Sequence, residues 1–190
     1  MKCWGGSGWL GIGDVDGGHS FKTALPMQTV GLESGVVQIV SSGRGTSCAL
    51  TTTGTVKCWG EGSYGALPAD PNRSTSFATT PLIIEGLGTV KQLAAGLMHL
   101  CALRTDGTMK CWGYDTNGQL GDQPANITVN LFRSTPVDVI GVSDIVAISA
   151  GSKHTCAAPA TGGVLCWGGP PGTGRTVAGN QLQPMFVGGL

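Results

Sequence analysis

The chain has 190 residues, of which 33 are glycine and 10 are proline; only 12% are charged, and the formal net charge is zero. Because the sequence has no cluster of Lys and Arg, we expect no general attraction to nucleic acid or to an anionic membrane surface. The apolar stretches are strand-sized, and glycine or proline interrupts nearly every window that a helix needs, so we expect no membrane insertion and many short strands joined by tight turns.

The tripeptide Cys-Trp-Gly occurs four times, at positions 3–5, 58–60, 111–113 and 166–168. Successive copies are 55, 53 and 55 residues apart. In the last three copies, another cysteine stands ten residues earlier, and a glycine follows that cysteine after six residues. A fixed period of this size is typical of propellers and solenoids, in which each repeat is a small sheet that buries its apolar faces only against its neighbours.

The repeat offsets divide the chain into four parts that we assign to one domain. They are a partial repeat at 1–35, two repeats at 36–89 and 90–143, and a repeat with a degenerate end at 144–190. Cys3 occupies the second cysteine position of its repeat, and the position of its partner falls before Met1. We therefore expect a truncated array, half a repeat followed by three whole ones.

Each whole repeat is predicted to contain four short strands, which in the first are residues 36–40, 47–51, 55–59 and 81–84. The middle two form a hairpin in which Cys48 lies opposite Cys58 and the three-residue loop ends at Gly54. The third loop position of a type I turn with a G1 bulge has a positive φ, which glycine adopts without strain. Turn chemistry and cysteine spacing thus predict the same register.

Directly opposed cysteines on antiparallel strands are within reach of a cross-strand disulfide. We predict three such bridges, one in each whole repeat: Cys48–Cys58, Cys101–Cys111 and Cys156–Cys166. The alternative is that all six are free cysteines packed as small apolar residues. Bridges imply an oxidising compartment, so we expect an extracytoplasmic protein, secreted or at the cell surface. Cys3 remains unpaired in this scheme.

His99 stands two residues before Cys101 and, together with Cys111, offers residue types that bind zinc. The equivalent position in the first whole repeat is Thr46, so we interpret His99 as a structural residue of the repeat and expect no metal site. Catalytic groups in a repeat array are usually unique rather than copied, and no nucleophile or acid–base pair stands out. We therefore predict no catalytic residue and no cofactor.

Long, variable segments follow each Trp-Gly, and loops on a rigid sheet scaffold are where recognition residues usually lie. The tryptophans of the four tripeptides are predicted to pack between sheets. The variable segments contain the aromatic and arginine residues that dominate binding hot spots, and we select five of them as candidate binding residues: Trp9, Tyr64, Tyr114, Phe132 and Arg133.

The segment 95–103, followed by Asp106-Gly107, the tripeptide at 111–113, the segment 117–121 and Pro136, resembles the regulator of chromosome condensation (RCC1) repeat. Residues 150–156 repeat the front half of this pattern, and the resemblance covers practically the whole chain. It implies an all-β fold, a seven-bladed β-propeller of four-stranded blades, of which this chain supplies about three and a half. The paired cysteines are similar to those of bacterial, exported members of the family.

Three functions are compatible with these observations. The first is a non-catalytic scaffold whose propeller-face loops bind a protein or a cell-surface ligand. The second, implied by the founding members of the family, is guanine-nucleotide exchange with chromatin association, which neutral charge and paired cysteines disfavour. The third is an enzyme, such as a lyase or hydrolase, with a site on one loop. We favour the scaffold, and we expect open sheet edges in a partial propeller to permit self-association.

Overall fold

The computed structural model describes residues 1–5, 10–13, 22–68, 77–122, 131–170 and 181–188. Within these residues the chain forms one two-stranded and three four-stranded antiparallel sheets, which we number I to IV in chain order. Sheet I contains β1 (Lys2–Gly5) and β2 (Thr23–Gln28). Sheet II contains β3 (Val36–Ser41), β4 (Thr46–Thr51), β5 (Val56–Glu61) and β6 (Phe77–Ile83).

Sheet III contains β7 (Val90–Ala95), β8 (His99–Arg104), β9 (Met109–Tyr114) and β10 (Phe132–Asp138). Sheet IV contains β11 (Ile145–Ala150), β12 (His154–Pro159), β13 (Leu165–Gly168) and β14 (Gln181–Phe186). The strands follow one another in each sheet in chain order, and a single 3₁₀ turn, η1 (Ser63–Gly65), follows β5 in the described part of the chain. The predicted all-β partial propeller is confirmed. The described residues include no helix long and apolar enough to cross a membrane.

The central hairpin of each four-stranded sheet has the predicted register. In sheet II, Cys48 pairs with Cys58 and Leu50 with Val56, and the turn closes at Gly54, whose φ is +79°. A Cβ atom at Gly54 would lie 2.5 Å from the Thr89 side chain, so both the backbone and the available space require glycine.

Each hairpin contains the disulfide that the spacing predicts. Cys48–Cys58, Cys101–Cys111 and Cys156–Cys166 are bonded, and the two Cα atoms of every pair are 4.1 Å apart. This separation is close to that of a non-hydrogen-bonded antiparallel pair, where the side chains approach most closely. The bridges therefore fit into the sheets without interrupting the pairing. Cys3 is a free thiol that accepts a hydrogen bond from the Thr29 hydroxyl at 3.4 Å.

The outer strands begin earlier than the sequence predicts. β6 starts at Phe77, four residues before Pro81, where the strand was expected to begin. Its pairing with β5 shifts register between Cys58 and Gly60, so Pro81 lies within a bulged part of the strand. A proline is tolerated here because β6 is an edge strand and its bulge needs no N–H donor from this residue.

Successive sheets stack through buried tryptophans. Trp112 of sheet III donates its Nε1–H to the Ala66 carbonyl after η1 at 3.1 Å. Trp167 of sheet IV repeats this contact and donates to the Gln119 carbonyl at 3.0 Å. Both indoles, and that of Trp59, are completely buried. Sheets III and IV thus each place their tryptophan against the segment that follows the third strand of the preceding sheet.

Glutamine side chains join the innermost strands. The Gln38 amide of β3 donates to the Leu93 carbonyl of β7 at 3.0 Å and accepts from the Leu93 N–H at 2.7 Å. Gln92 of β7 forms the same pair of bonds with Ile148 of β11, at 3.0 and 3.1 Å. Because β3, β7 and β11 are in contact in this way, the loops at each end of the sheets are held on common faces.

Candidate functional site

Four of the five candidate binding residues come together where sheet II meets sheet III. η1, which contains Tyr64, packs against β9, which ends at Tyr114, and against β10, which begins with Phe132 and Arg133. Trp9 lies outside the described residues. We call Tyr64, Tyr114 and Phe132 together the aromatic surface.

Two rings of the aromatic surface contact each other across the two repeats, and the third lies beside η1. Tyr64 and Tyr114 form an edge-to-face pair with ring centroids 5.1 Å apart and an interplanar angle of 74°. Phe132 lies against Gly65, where an added Cβ would be 3.0 Å from its ring and 2.7 Å from the Arg133 carbonyl. Tyr64 is 41% exposed and Phe132 is 51% exposed. Two apolar rings with this exposure, on elements fixed by neighbouring sheets, form a preformed contact surface.

Tyr64 adopts a left-handed backbone conformation, with φ 60° and ψ 27°. A bulky residue in this region costs on the order of 1–2 kcal/mol relative to a relaxed backbone. The conformation places the ring next to the Arg44 guanidinium, whose central carbon is 6.0 Å from the ring centroid. A depression of about 510 Å³ lies beside the aromatic surface. It is lined by Gly43, Arg44, Gly45, Glu61, Ser63 and Tyr64.

Glu61 and Arg44 give the depression groups of opposite charge. The Glu61 carboxylate is held in place because it accepts hydrogen bonds from the backbone N–H of Ser63, at 2.9 Å, and from its hydroxyl. Arg44 forms no ion pair among the described residues, and its guanidinium lies beside the Tyr64 ring.

Below the aromatic surface lies a group of charged side chains, of which Arg133 was selected from the sequence and the two acids were not. Arg133 forms an ion pair with Asp122 at 2.9 Å, and both side chains are less than one-fifth exposed. Asp115 is completely buried, and one of its carboxyl oxygens accepts a hydrogen bond from the Leu120 N–H at 3.0 Å. Burial, followed by the proximity of Asp122, raises the pKa of Asp115 to about 7.

Comparison of the repeats in the sequence does contain a signal for Asp115. Asp115 stands three residues after its repeat tryptophan, where the flanking repeats have Gly62 and Pro170. A charged residue that occurs in one copy only, within an otherwise repeated frame, marks a local role rather than a requirement of the fold.

His99 is a structural residue. Its Nε2 lies 2.9 Å from the Thr155 hydroxyl, and that hydroxyl donates to the Gln119 carbonyl at 2.8 Å. Because the hydroxyl proton is used in this way, the hydroxyl accepts from His99, which places the imidazole proton on Nε2. Burial, with a smaller contribution from His154, lowers the pKa of His99 to about 4, so the ring is neutral at pH 7. No group of three potential metal ligands occurs among the described residues.

The side of the array formed by sheet I and the free edge of β3 is open. Trp4 is 62% exposed, whereas its three equivalents are completely buried. Ile39 of β3 is 48% exposed, whereas its equivalents Leu93 and Ile148 are buried against the preceding inner strand. The expected packing of Trp4 between sheets is therefore wrong within the described part of the chain, because no sheet there covers this side.

Comparison with known proteins identifies the repeats. Family models described as the regulator of chromosome condensation (RCC1) repeat match residues 36–66, 90–119 and 106–158. Over 87% of its length, the chain is 31% identical to a part of the human probable E3 ubiquitin-protein ligase HERC6, and over 86% it is 31% identical to a part of the Arabidopsis thaliana ultraviolet-B receptor UVR8. It spans 16% and 36% of those two proteins, respectively.

A solved structure shows the same fold. Yeast RCC1 (Prp20), in a crystal structure with Kap60, superposes on 95% of this chain with a TM-score of 0.74 and 21% identity. The chain spans 42% of that protein, so the sheets described above correspond to fewer than half of its residues.

Proposed function

The chain belongs to the regulator of chromosome condensation repeat family, and from this premise we propose that it is a non-catalytic scaffold that binds a protein partner through its aromatic surface. The observation that carries the proposal is the convergence of Tyr64, Tyr114 and Phe132 from two repeats onto one exposed surface. Aromatic residues at the centre of a rigid, partly exposed patch supply most of the binding energy in protein interfaces.

The backbone of Tyr64 supports this proposal. A strained residue persists only where the surrounding structure holds it, and such residues concentrate at ligand-contacting sites. Here the left-handed conformation directs the largest side chain of η1 toward the rings of the next repeat and toward Arg44. A residue better suited to this backbone, such as Asn or Gly, would relieve the strain but would remove the aromatic contact.

The reactive residue types of the described chain support a non-catalytic role. Six of the seven cysteines are bonded to each other, and His99 is buried in a hydrogen-bonded contact between sheets. Asp115 has no exposed surface through which it could reach a substrate. A protein partner also fits the crystal structure of yeast RCC1 (Prp20) with Kap60, in which a relative of this chain binds another protein.

Binding through the aromatic surface predicts that Phe132→Ser and Tyr64→Asn each weaken capture of a partner by tenfold or more, because each removes a central aromatic contact. The immobilised chain would be incubated with secreted and cell-surface protein fractions, and captured proteins would be quantified by mass spectrometry. Tyr64→Asn should retain or slightly raise the stability of the chain, since asparagine tolerates the left-handed conformation. Its loss of capture therefore could not be attributed to unfolding.

Ile140→Ser is the matched control. Ile140 is 48% exposed, close to the value for Phe132, and it lies beyond the opposite end of β10. Capture that is lost equally in Ile140→Ser and Phe132→Ser would indicate nonspecific hydrophobic adsorption. Capture that persists in both Tyr64→Asn and Phe132→Ser would place the binding surface elsewhere.

The three disulfides support a proposed extracytoplasmic location, because small cross-strand bridges persist in oxidising compartments and are rare in reducing ones. The partner is therefore proposed to be a secreted or surface-exposed protein.

A further inference from the structure

The buried charged group lies directly behind the aromatic surface and is connected to it through the backbone. Asp115 follows Tyr114 in the chain, and its N–H donates to the Leu131 carbonyl at 2.8 Å. Arg133, which pairs with Asp122, follows Phe132. Any change in the charge of this group therefore acts on residues that immediately adjoin two of the three rings.

Two carboxyl oxygens in this group lack a donor. Asp115 Oδ2 and Asp122 Oδ1 are buried, and neither accepts a hydrogen bond from any donor in the structure as described. Asp122 is a neighbour that raises the pKa of the Asp115 carboxyl, both through its charge and through hydrogen bonding between the two side chains. Two ionised carboxylates offer acceptors only, so a hydrogen bond between them requires one proton, which would supply the missing donor.

We propose that Asp115 and Asp122 form a proton-binding site, in which one shared proton stabilises the observed arrangement of the aromatic surface and loss of that proton loosens it. The proton bonds to Asp115 and is donated to Asp122, while Asp122 keeps its negative charge and its ion pair with Arg133. The three side chains then carry no net charge. Without the proton they carry a net charge of −1 in a buried position, and the two carboxylates repel each other.

The surrounding charges favour retention of the proton near neutral pH. Burial and the nearby Asp122 raise the pKa of Asp115, the bond from Leu120 and the charge of Arg133 lower it, and the net result is a pKa of about 7. The neighbouring elements add few other charges. On the sheet II side these are Arg44 and Glu61 near η1, on sheet III itself there is His99, and on the sheet IV side they are His154 and Lys153.

The sign of the effect on stability follows from the direction of the shift. The ordinary pKa of an aspartate, 3.8, applies to the unfolded chain, and the folded chain binds the proton more tightly. The contribution of Asp115 to stability is therefore full below about pH 4 and declines as the pH rises to about 7. His99 acts in the opposite direction: its pKa of about 4 is below the ordinary 6.5, so its contribution is full above pH 6.5 and is lost as the pH falls toward 4.

The proposal is tested by titrating the isolated chain between pH 5 and 9 and following near-UV circular dichroism, which reports the packing of the aromatic side chains, including the Tyr64–Tyr114 pair. The wild type should show a one-proton transition with a midpoint near pH 7. Asp115→Asn should abolish it, because the amide N–H donates to Asp122 at every pH and mimics the protonated acid. Asp106→Asn is the control, since Asp106 is an exposed carboxylate whose pKa is lowered by its hydrogen bonds to Thr108.

Several outcomes would overturn the proposal. A transition that persists in Asp115→Asn would come from another group, such as a histidine, and a featureless wild-type titration would exclude a proton-dependent arrangement. A change in the same signal on adding Ca²⁺ at fixed pH, lost in Asp115→Asn, would identify a metal ion rather than a proton as the occupant. If Asp115→Asn does not fold, carboxyl ¹³C NMR of the wild type decides: a midpoint for Asp115 below pH 5 would contradict the shared proton.

The role of the proton in partner binding rests on the proposed function, but proton binding itself does not. The titration requires no partner, so it can succeed where the capture experiment fails. Conversely, capture that depends on Phe132 but not on pH would support the aromatic surface and remove its regulation by the carboxyl pair.

Discussion

Reduction of the three disulfides is expected to destabilise the folded chain by about 8 kcal/mol, the largest effect that we predict. Each bridge joins residues ten positions apart, and closing a loop of this length contributes about 2.7 kcal/mol in the chain-entropy description. Because small domains are stable by roughly 5–15 kcal/mol in total, the reduced chain should be largely unfolded. Urea denaturation followed by tryptophan fluorescence, with and without reductant, measures the difference.

Alkylation provides the control for this prediction. In the oxidised protein, without reduction, an alkylating agent should modify Cys3 alone, and Cys3→Ser should have the same denaturation midpoint as the wild type. Equal midpoints for the oxidised and reduced chains would show that the bridges contribute nothing to stability. Modification of the other six cysteines without reduction would show that the bridges are not formed.

Replacement of Trp112 by alanine is expected to destabilise the chain by about 3–5 kcal/mol. The indole is completely buried between sheets II and III, so its loss leaves a large cavity and also leaves the Ala66 carbonyl without its donor. Trp4→Ala should change stability by less than about 1 kcal/mol, because Trp4 is mostly exposed although it occupies the same position in its repeat.

The two tryptophans make a matched pair because both follow the second cysteine position of a repeat, and Trp112 is buried whereas Trp4 is exposed. Chemical denaturation of both variants, monitored by far-UV circular dichroism, gives the comparison. Equal losses of stability in Trp112→Ala and Trp4→Ala would mean that packing between sheets is not what makes the buried indole stabilising.

The repeat frame and the hairpins could be predicted from the sequence because they depend on local spacing. The ten-residue separation of Cys48 and Cys58, combined with a glycine at the bulge position, determines one register, and the structure has that register. The start of β6 could not be predicted in the same way. A proline usually lies at the start of a strand or at a bulge, because it has no N–H to donate to the neighbouring strand. Here the bulge opposite β5 accommodates Pro81 and allows β6 to begin earlier, at Phe77.

Apart from the packing of the repeat tryptophans, the sequence did not reveal the contacts between repeats. Gln38 and Gln92 are surface-type residues in an apolar strand, and their bonds to the next inner strand depend on how the sheets stack. The equivalent residue of the last repeat is Ala147, so this contact is not a constant of the repeat. Asp115 and Asp122 were missed for a different reason, because their contacts with Leu120 and Arg133 lie in the variable segment of one repeat, where spacing predicts no pairing.

The residue types of the candidate site were predictable, but their arrangement was not. Tyr64, Tyr114 and Phe132 were selected because they lie in variable loops, and nothing in their spacing indicated that they contact one another. That contact requires sheets II and III to be stacked so that η1 reaches β9 and β10. Their role in binding remains a prediction.

The loops of adjacent repeats meet in one surface. A double-mutant cycle between Tyr64 and Tyr114 tests this contact most directly. The free energy of unfolding would be measured for the wild type, Tyr64→Ala, Tyr114→Ala and the double variant. An edge-to-face pair in contact predicts a coupling energy of about 0.5–1.5 kcal/mol. Strictly additive losses, with no coupling, would show that the two rings do not touch and would contradict a shared surface.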